Sequence, residues 1–193
     1  MNEKNNQEAF DLEEQIEESK ASLERINGWI SSCDSKAGTI LALTGVLLTI
    51  IFTNNGFLAM NKIMQKIFPI KNAWFLLHLI LFTAAVIVLI TGIVFLIKVL
   101  LARIDSKIYE EPELVTDSIL FFGSISSKPS YKDFQSEVLG MGKKEYLKDL
   151  LSQVYINSKI AHKKYLSYNT GVYLTIIGFI SFVVIFLIGI YVY

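Results

Sequence analysis

Residues Ala73–Ile97 read AWFLLHLILFTAAVIVLITGIVFLI, twenty-five positions with no Asp, Glu, Lys or Arg and seventeen Leu, Ile, Phe or Val. At 1.5 Å per residue a helix of that length reaches about 37 Å, more than the roughly 30 Å hydrocarbon core of a bilayer. Its apolar side chains favour insertion by roughly 5 to 10 kcal/mol as an upper bound. The stretch therefore predicts a membrane-spanning helix.

Two further stretches read the same way. Ala37–Thr53, AGTILALTGVLLTIIFT, is short for a span, about 26 Å, so Lys36 is expected to snorkel and the helix to continue upstream. Gly171–Tyr193 has no ionisable group except tyrosines, and Tyr191 and Tyr193 stand where interfacial anchors are expected, at the far headgroups. The whole 193-residue chain is 52% hydrophobic with a mean hydropathy of +0.46, more apolar surface than a small soluble globule can hide. Formal charge is zero, which removes overall attraction to duplex nucleic acid. Cys33 is the one cysteine, so no intrachain disulfide forms.

The apolar run of the first span follows 36 residues carrying nine acids, not a short basic region, so a cleaved signal peptide is not expected. Arg25, Lys36, Lys98, Arg103, Lys107, Lys159, Lys163 and Lys164 flank the spans on one side, against Lys62, Lys66 and Lys71 on the other. The excess predicts a cytoplasmic N-terminus and an extracytoplasmic C-terminus. The expected organisation is then a cytoplasmic N-terminal helix (1–36), a first span (37–53), an outer interfacial loop (54–72), a second span (73–97), a cytoplasmic sensing region (98–170) and a third span (171–193). In the outer loop Phe57, Met60, Ile63, Met64, Ile67 and Phe68 recur at helical spacing up to Pro69, which reads as a helix lying in the interface.

Leu12, Ile16, Ser19, Leu23, Ile26, Ile30, Cys33 and Ala37 follow steps of three and four into the first span, a heptad seam with no proline. One helix of forty-odd residues is expected there. A second long helix is expected over 143–170, with Leu147, Leu151, Val154, Ser158, Ala161, Tyr165 and Tyr168 as its seam, running into the third span. The first helix is mainly acidic and the second mainly basic, so they are expected to pair, within or between subunits. Between them the sequence predicts a turn at Pro112, an apolar segment over Ile119–Phe122 and a short helix from Ser130, capped through Asp133. The fold class is thus an all-α membrane protein with three transmembrane helices, two of them continuous with long cytoplasmic helices.

Catalytic chemistry is not expected. His78 lies in a span, His162 beside the membrane, and Cys33 has no partner at metal-ligand spacing; phosphate-loop and nucleophile-elbow motifs are absent. No metal or cofactor is expected. Lys143, Lys144 and Lys148, beside Gly140-Met141-Gly142 and joined by Lys128 and Lys132, read either as a solvated helix start or as a phosphate site at a helix N-terminus. Gly38, Ala42, Gly45 and Thr49 share one face of the first span, suited to packing within the bundle or around an oligomer axis. His78 reads as a shallow lipid-facing or pore-lining group, and Asp34 with Lys36 as span flanks or as a charged gate.

Trp29-Ile30, Asp34-Ser35-Lys36-Ala37, Phe121-Phe122-Gly123-Ser124-Ile125, Tyr146-Leu147, Gln153-Val154-Tyr155, Asn157-Ser158 and Lys164-Tyr165, in this order around the spans, resemble the Pycsar-effector transmembrane family from about Leu23 onward. That resemblance implies a bacterial anti-phage effector of the inner membrane. It would sense a cyclic or linear nucleotide second messenger, made by a neighbouring cyclase or nucleotidyltransferase, and impair the membrane. It makes the lysine cluster a candidate for the phosphates, and Phe121, Phe122, Tyr146 or Tyr155 for stacking on a base. The implied assembly is a homo-oligomer, with a tetramer as first expectation, forming a channel or pore in the lipid bilayer. A helical adaptor that recruits a soluble partner and a constitutive small ion channel are the competing readings.

Overall fold

A computed structural model describes residues 2–67, 73–101 and 111–192. Among the described residues the chain is helical with no strand: α1 (Asn2–Ile51), α2 (Asn54–Ile67), α3 (Ala73–Leu100), α4 (Phe122–Ser126), α5 (Tyr131–Gly140) and α6 (Lys143–Val192). The expected all-α class is the observed one, and α1, α3 and α6 are the helices long and apolar enough to cross a membrane. α1 and α6 are unbroken for 50 residues each, and neither contains a proline that would interrupt it. α2 is a helix where the outer loop was expected to form one, while Pro69 lies outside the described residues.

The chain divides into two compact units. The first comprises the described parts of Ser32–Ala102 and Lys164–Tyr193. Its core joins Cys33 and Ala37 of α1 to Leu96 and Val99 of α3, with Ile40, Leu41, Tyr165, Tyr168 and Val172 packed against them. Phe182 is buried, its ring centroid 5.4 Å from Phe82 and 6.0 Å from Phe52. Outward-facing residues are also apolar, among them Ile80, Ile87, Ile90, Ile177, Ile180 and Leu187. An exterior of this kind is stable in lipid and not in water.

Close helix approach in this unit depends on glycines of α3 and α6. A Cβ at Gly92 would stand 2.4 Å from the Thr175 nitrogen, one at Gly178 2.5 Å from the Leu89 nitrogen, and one at Gly171 2.9 Å from Leu96 Cγ. Backbones approach there because no side chain intervenes, the packing mode that joins helices in lipid. The small face of α1 behaves differently, since a Cβ at Gly38 or Gly45 would meet nothing within 4 Å.

The second unit comprises the described parts of Met1–Ser31 and Arg103–Lys163. Ile16 of α1 packs on Leu147 and Leu150 of α6, with Leu12, Leu23, Leu120 and Tyr146 around them. The heptad expectation for α1 holds, every seam position being buried or half-buried. On α6 it needs correction: Leu151 is exposed and Leu150 takes its place, one step of three shifting the stripe. Ser130 caps α5 as expected, its Oγ accepting from the Asp133 nitrogen at 3.2 Å and donating to Asp133 Oδ2 at 2.7 Å. The apolar segment expected over Ile119–Phe122 runs into the single helical turn of α4.

Gly178→Ala is expected to destabilise the protein in detergent by about 1–3 kcal/mol, because the added methyl meets backbone that cannot rotate away. Gly45→Ala adds a methyl that meets nothing within 4 Å in its own chain and is expected to cost less than Gly178→Ala. Thermal unfolding of the two variants checks the difference.

Candidate functional site

The most ordered polar arrangement lies in the second unit, where the segment 111–127 is fastened to one face of α6. Asp149, Ser152 and Tyr155 follow one another at steps of three along the helix, so all three face the segment. Asp149 Oδ2 accepts from the Ile119 nitrogen at 3.0 Å, and Ser152 Oγ accepts from the Val115 nitrogen at 3.1 Å while donating to the Lys148 carbonyl. Tyr155 donates its hydroxyl to Glu111 Oε1 at 2.8 Å. Ser118 is buried and its Oγ accepts from the Leu120 nitrogen at 3.0 Å. A segment without regular structure must place its backbone N–H groups somewhere, and Asp149, Ser152 and Ser118 receive three of them.

The second fastening is electrostatic. Lys128 Nζ lies 2.7 Å from Asp117 Oδ2 and 2.5 Å from Glu137 Oε2, with its side chain only one-tenth exposed. It thereby joins the segment to α5. Hydrogen bonds to the Asp117 and then the Glu137 carboxylate raise the Lys128 pKa above its ordinary value. Gly123 follows because the Phe121 ring passes beside it: a Cβ there would stand 2.4 Å from Phe121 Cε1.

The lysines expected to hold phosphate fall into two groups. Lys143 is ion-paired with Glu13 of α1, and Lys128 is held as described. Lys132, Lys144 and Lys148 are exposed and, among the described residues, in no ion pair. The N-terminus of α6 carries its own anion, since Glu145 Oε2 accepts from the Gly142 nitrogen at 3.0 Å. Of the aromatic candidates, Phe122 is 74% exposed with its ring 4.8 Å from that of Phe121. Tyr155 is engaged by Glu111 and has Lys159 Nζ 5.0 Å over its ring. Tyr146 is half-buried in the core, with Lys20 over its ring.

The gate candidates belong to the other unit. Asp34 pairs with Lys164 at 2.5 Å, while Lys36 is exposed. Gly38 is half-buried, Ala42, Gly45 and Thr49 are exposed along one face of α1, and Thr49 donates its hydroxyl to the Gly45 carbonyl. His78 packs in the bundle near Gly189, where a Cβ would stand 3.1 Å from its Nε2. Asp149 is a fastening that sequence reasoning did not single out. Its flanks, Leu147, Leu150 and Ile156 at core spacing, are the signal that it lies inside.

A helical protein with three helices long and apolar enough to cross a membrane, and a second, more polar compact unit, is by class a multi-span membrane protein. Residues 18–191 match the model of the Pycsar effector protein domain, PycTM. The chain is also 36% identical over 177 residues to the Pycsar effector protein GmPycTM of Gulbenkiania mobilis, covering 88% of this chain and 90% of that one. No solved structure matches it significantly. The chain therefore belongs to the Pycsar effector transmembrane family, and is a membrane effector of anti-phage defence. Membership implies an inner-membrane location and a cyclic nucleotide signal from a cyclase partner.

Two predictions follow from these contacts. The Lys128 clasp contributes fully below the ordinary lysine pKa of about 10.4 and is lost as pH rises through the raised value. The Lys128 side-chain NMR resonance should accordingly titrate above 10.4, and Asp117→Asn with Glu137→Gln should return it there. Asp34→Ala strands the Lys164 ammonium, whose side chain is 13% exposed, and should destabilise the protein by about 1–2 kcal/mol. The charge-reversed pair Asp34→Lys with Lys164→Asp should recover part of that loss in thermal unfolding.

Proposed function

We propose that this chain is a nucleotide-gated membrane effector that assembles as a homo-oligomer, a tetramer in the simplest form, and opens a pore when it binds its messenger. The observation that carries the reading is the continuity of α1 and α6: each supplies residues to the polar unit and to the apolar one without a break. A ligand shifts such a protein only by binding its open state more tightly than its closed state, and unbroken helices give that difference a route into the lipid. Lys144, Lys148 and Lys132 are the available cations for the messenger's phosphate, joined by Lys143 and Lys128 once their carboxylates are displaced. Phe122 supplies an exposed ring for stacking, and Tyr155 a second when Glu111 releases it. Asp34, Lys36 and the Gly38, Ala42, Gly45, Thr49 face line the gate and subunit contact in this reading, with His78 near the other end. The N-terminus and the polar unit are cytoplasmic and the C-terminus is periplasmic, following the lysine excess.

The test is conductance of the purified full chain in planar bilayers with 3′,5′-cyclic CMP or 3′,5′-cyclic UMP. Nucleotide-dependent opening is expected, and Lys144→Glu with Lys148→Glu should raise the required concentration about tenfold or more. Equal current without nucleotide identifies a constitutive channel, and silence with every cyclic mononucleotide identifies an adaptor; either overturns the proposal.

A further inference from the structure

The nucleotide-gated reading leaves one group without a task. Asp149 is fully buried, with no cation within ion-pair distance among the described residues. Its Oδ2 accepts one backbone N–H, from Ile119, and its Oδ1 has no hydrogen-bond partner among the described residues. A carboxylate removed from water needs several donors to offset the lost hydration, so a single amide leaves this one under-satisfied. Around it stand Ser118, Ser152 and Gln153, also buried, in a stretch of α6 otherwise filled by Leu147, Leu150 and Ile156. Such a group is retained for something other than core stability.

Residues 114–120 form the cover. Their backbone reaches α6 through the Val115 and Ile119 nitrogens, onto Ser152 and Asp149, both being bonds that a ligand's own donors can replace. We propose that 114–120 is a strap acting as an internal stand-in for the messenger, and that the messenger opens the protein by taking Asp149 from it. The inference rests on the nucleotide-gated reading and adds the site's donor chemistry. The strap offers Asp149 one N–H. A nucleotide offering an N–H or O–H to each oxygen satisfies both, and that difference drives the exchange. The part of the messenger at Asp149 is therefore neutral and donor-bearing, a base edge or a sugar hydroxyl. Its phosphate, repelled by the carboxylate, lies towards the free lysines.

Hydrogen exchange of the full chain in liposomes, with cyclic CMP or cyclic UMP as probe and dye release read in parallel, tests this. Nucleotide is expected to speed exchange over residues 115–120 about tenfold or more as the liposomes leak. In Asp149→Asn the amide oxygen still accepts from Ile119, but an NH₂ replaces the free acceptor. That variant should keep strap protection without nucleotide and lose both the exchange and the leakage response. Leakage of the wild type with the strap still protected overturns the strap and leaves gating standing. An Asp149→Asn response equal to the wild type overturns it as well. If no nucleotide releases dye, the gating reading falls and the strap with it. The wild-type exchange measurement decides the matter even if the variant does not fold. Cyclic CMP against cyclic UMP, and each against its 2′-deoxy analogue, then separates base edge from sugar as the donor.

Discussion

Inside lipid an apolar helix gains nothing from burying itself against another apolar helix, because the tails it leaves are as apolar as the neighbour it meets. Everything about the membrane unit answers to that constraint. Its helices are held by close backbone approach, and the residues that permit the approach are Gly92, Gly171 and Gly178, where α3 and α6 come within reach of each other's main chain. Dispersion between surfaces in direct contact replaces the missing hydrophobic term. The same constraint explains why large apolar residues such as Ile80, Ile87, Ile177 and Leu187 can lie outside, as they would not on a soluble protein.

The polar unit follows the opposite rule, and its chemistry differs accordingly. Water supplies the driving force for Ile16, Leu147 and Leu150 to come together, each worth about 1.5–3 kcal/mol when fully buried. What water does not supply is a place for the backbone of an irregular segment. Asp149 and Ser152 of α6 and Ser118 of the segment itself supply it, and Tyr155 adds a side-chain bond to Glu111, which is why three polar side chains concentrate on the part of α6 facing 111–127. A helix that serves lipid at one end and an irregular chain at the other has to change composition along its length, and α6 does so after Lys164.

This division also sets what the sequence alone discloses. Periodicity gave both long helices and the α1 seam, since a stripe at steps of three and four has no other economical structure. Ser130 with Asp133 gave the α5 cap for the same local reason. The α6 seam slipped by one position, because Leu150 and Leu151 are both apolar and only the partner surface chooses between them. The close approaches at Gly92, Gly171 and Gly178 were not singled out, because small residues mark a face that permits approach but not which helix makes it. Asp149 was hidden because charge predicts exposure, and its exception depends on a segment thirty residues away. The Lys128 clasp was hidden likewise, for Asp117 and Glu137 are distant in sequence from one another.

The arrangement of charge around the lysines bears on how a phosphate would be admitted. Of the five candidates, Lys143 is answered by Glu13 and Lys128 by two carboxylates, while Lys132, Lys144 and Lys148 are in no ion pair among the described residues. An exposed pair such as Lys143 with Glu13 is worth about 0–1 kcal/mol, so an anion displaces it at little cost. Lys128 is different: its side chain is nearly enclosed, and withdrawing it leaves two carboxylates that repel each other and a segment detached from α5. An anion that engages Lys128 must therefore loosen residues 117–137, whereas one that engages Lys144 and Lys148 need not. The free lysines suit the first encounter, and the enclosed one suits a step that changes conformation. A stray anion held by Lys144 and Lys148 alone leaves the segment fastened to α6, so electrostatic attraction by itself does not disturb the strap.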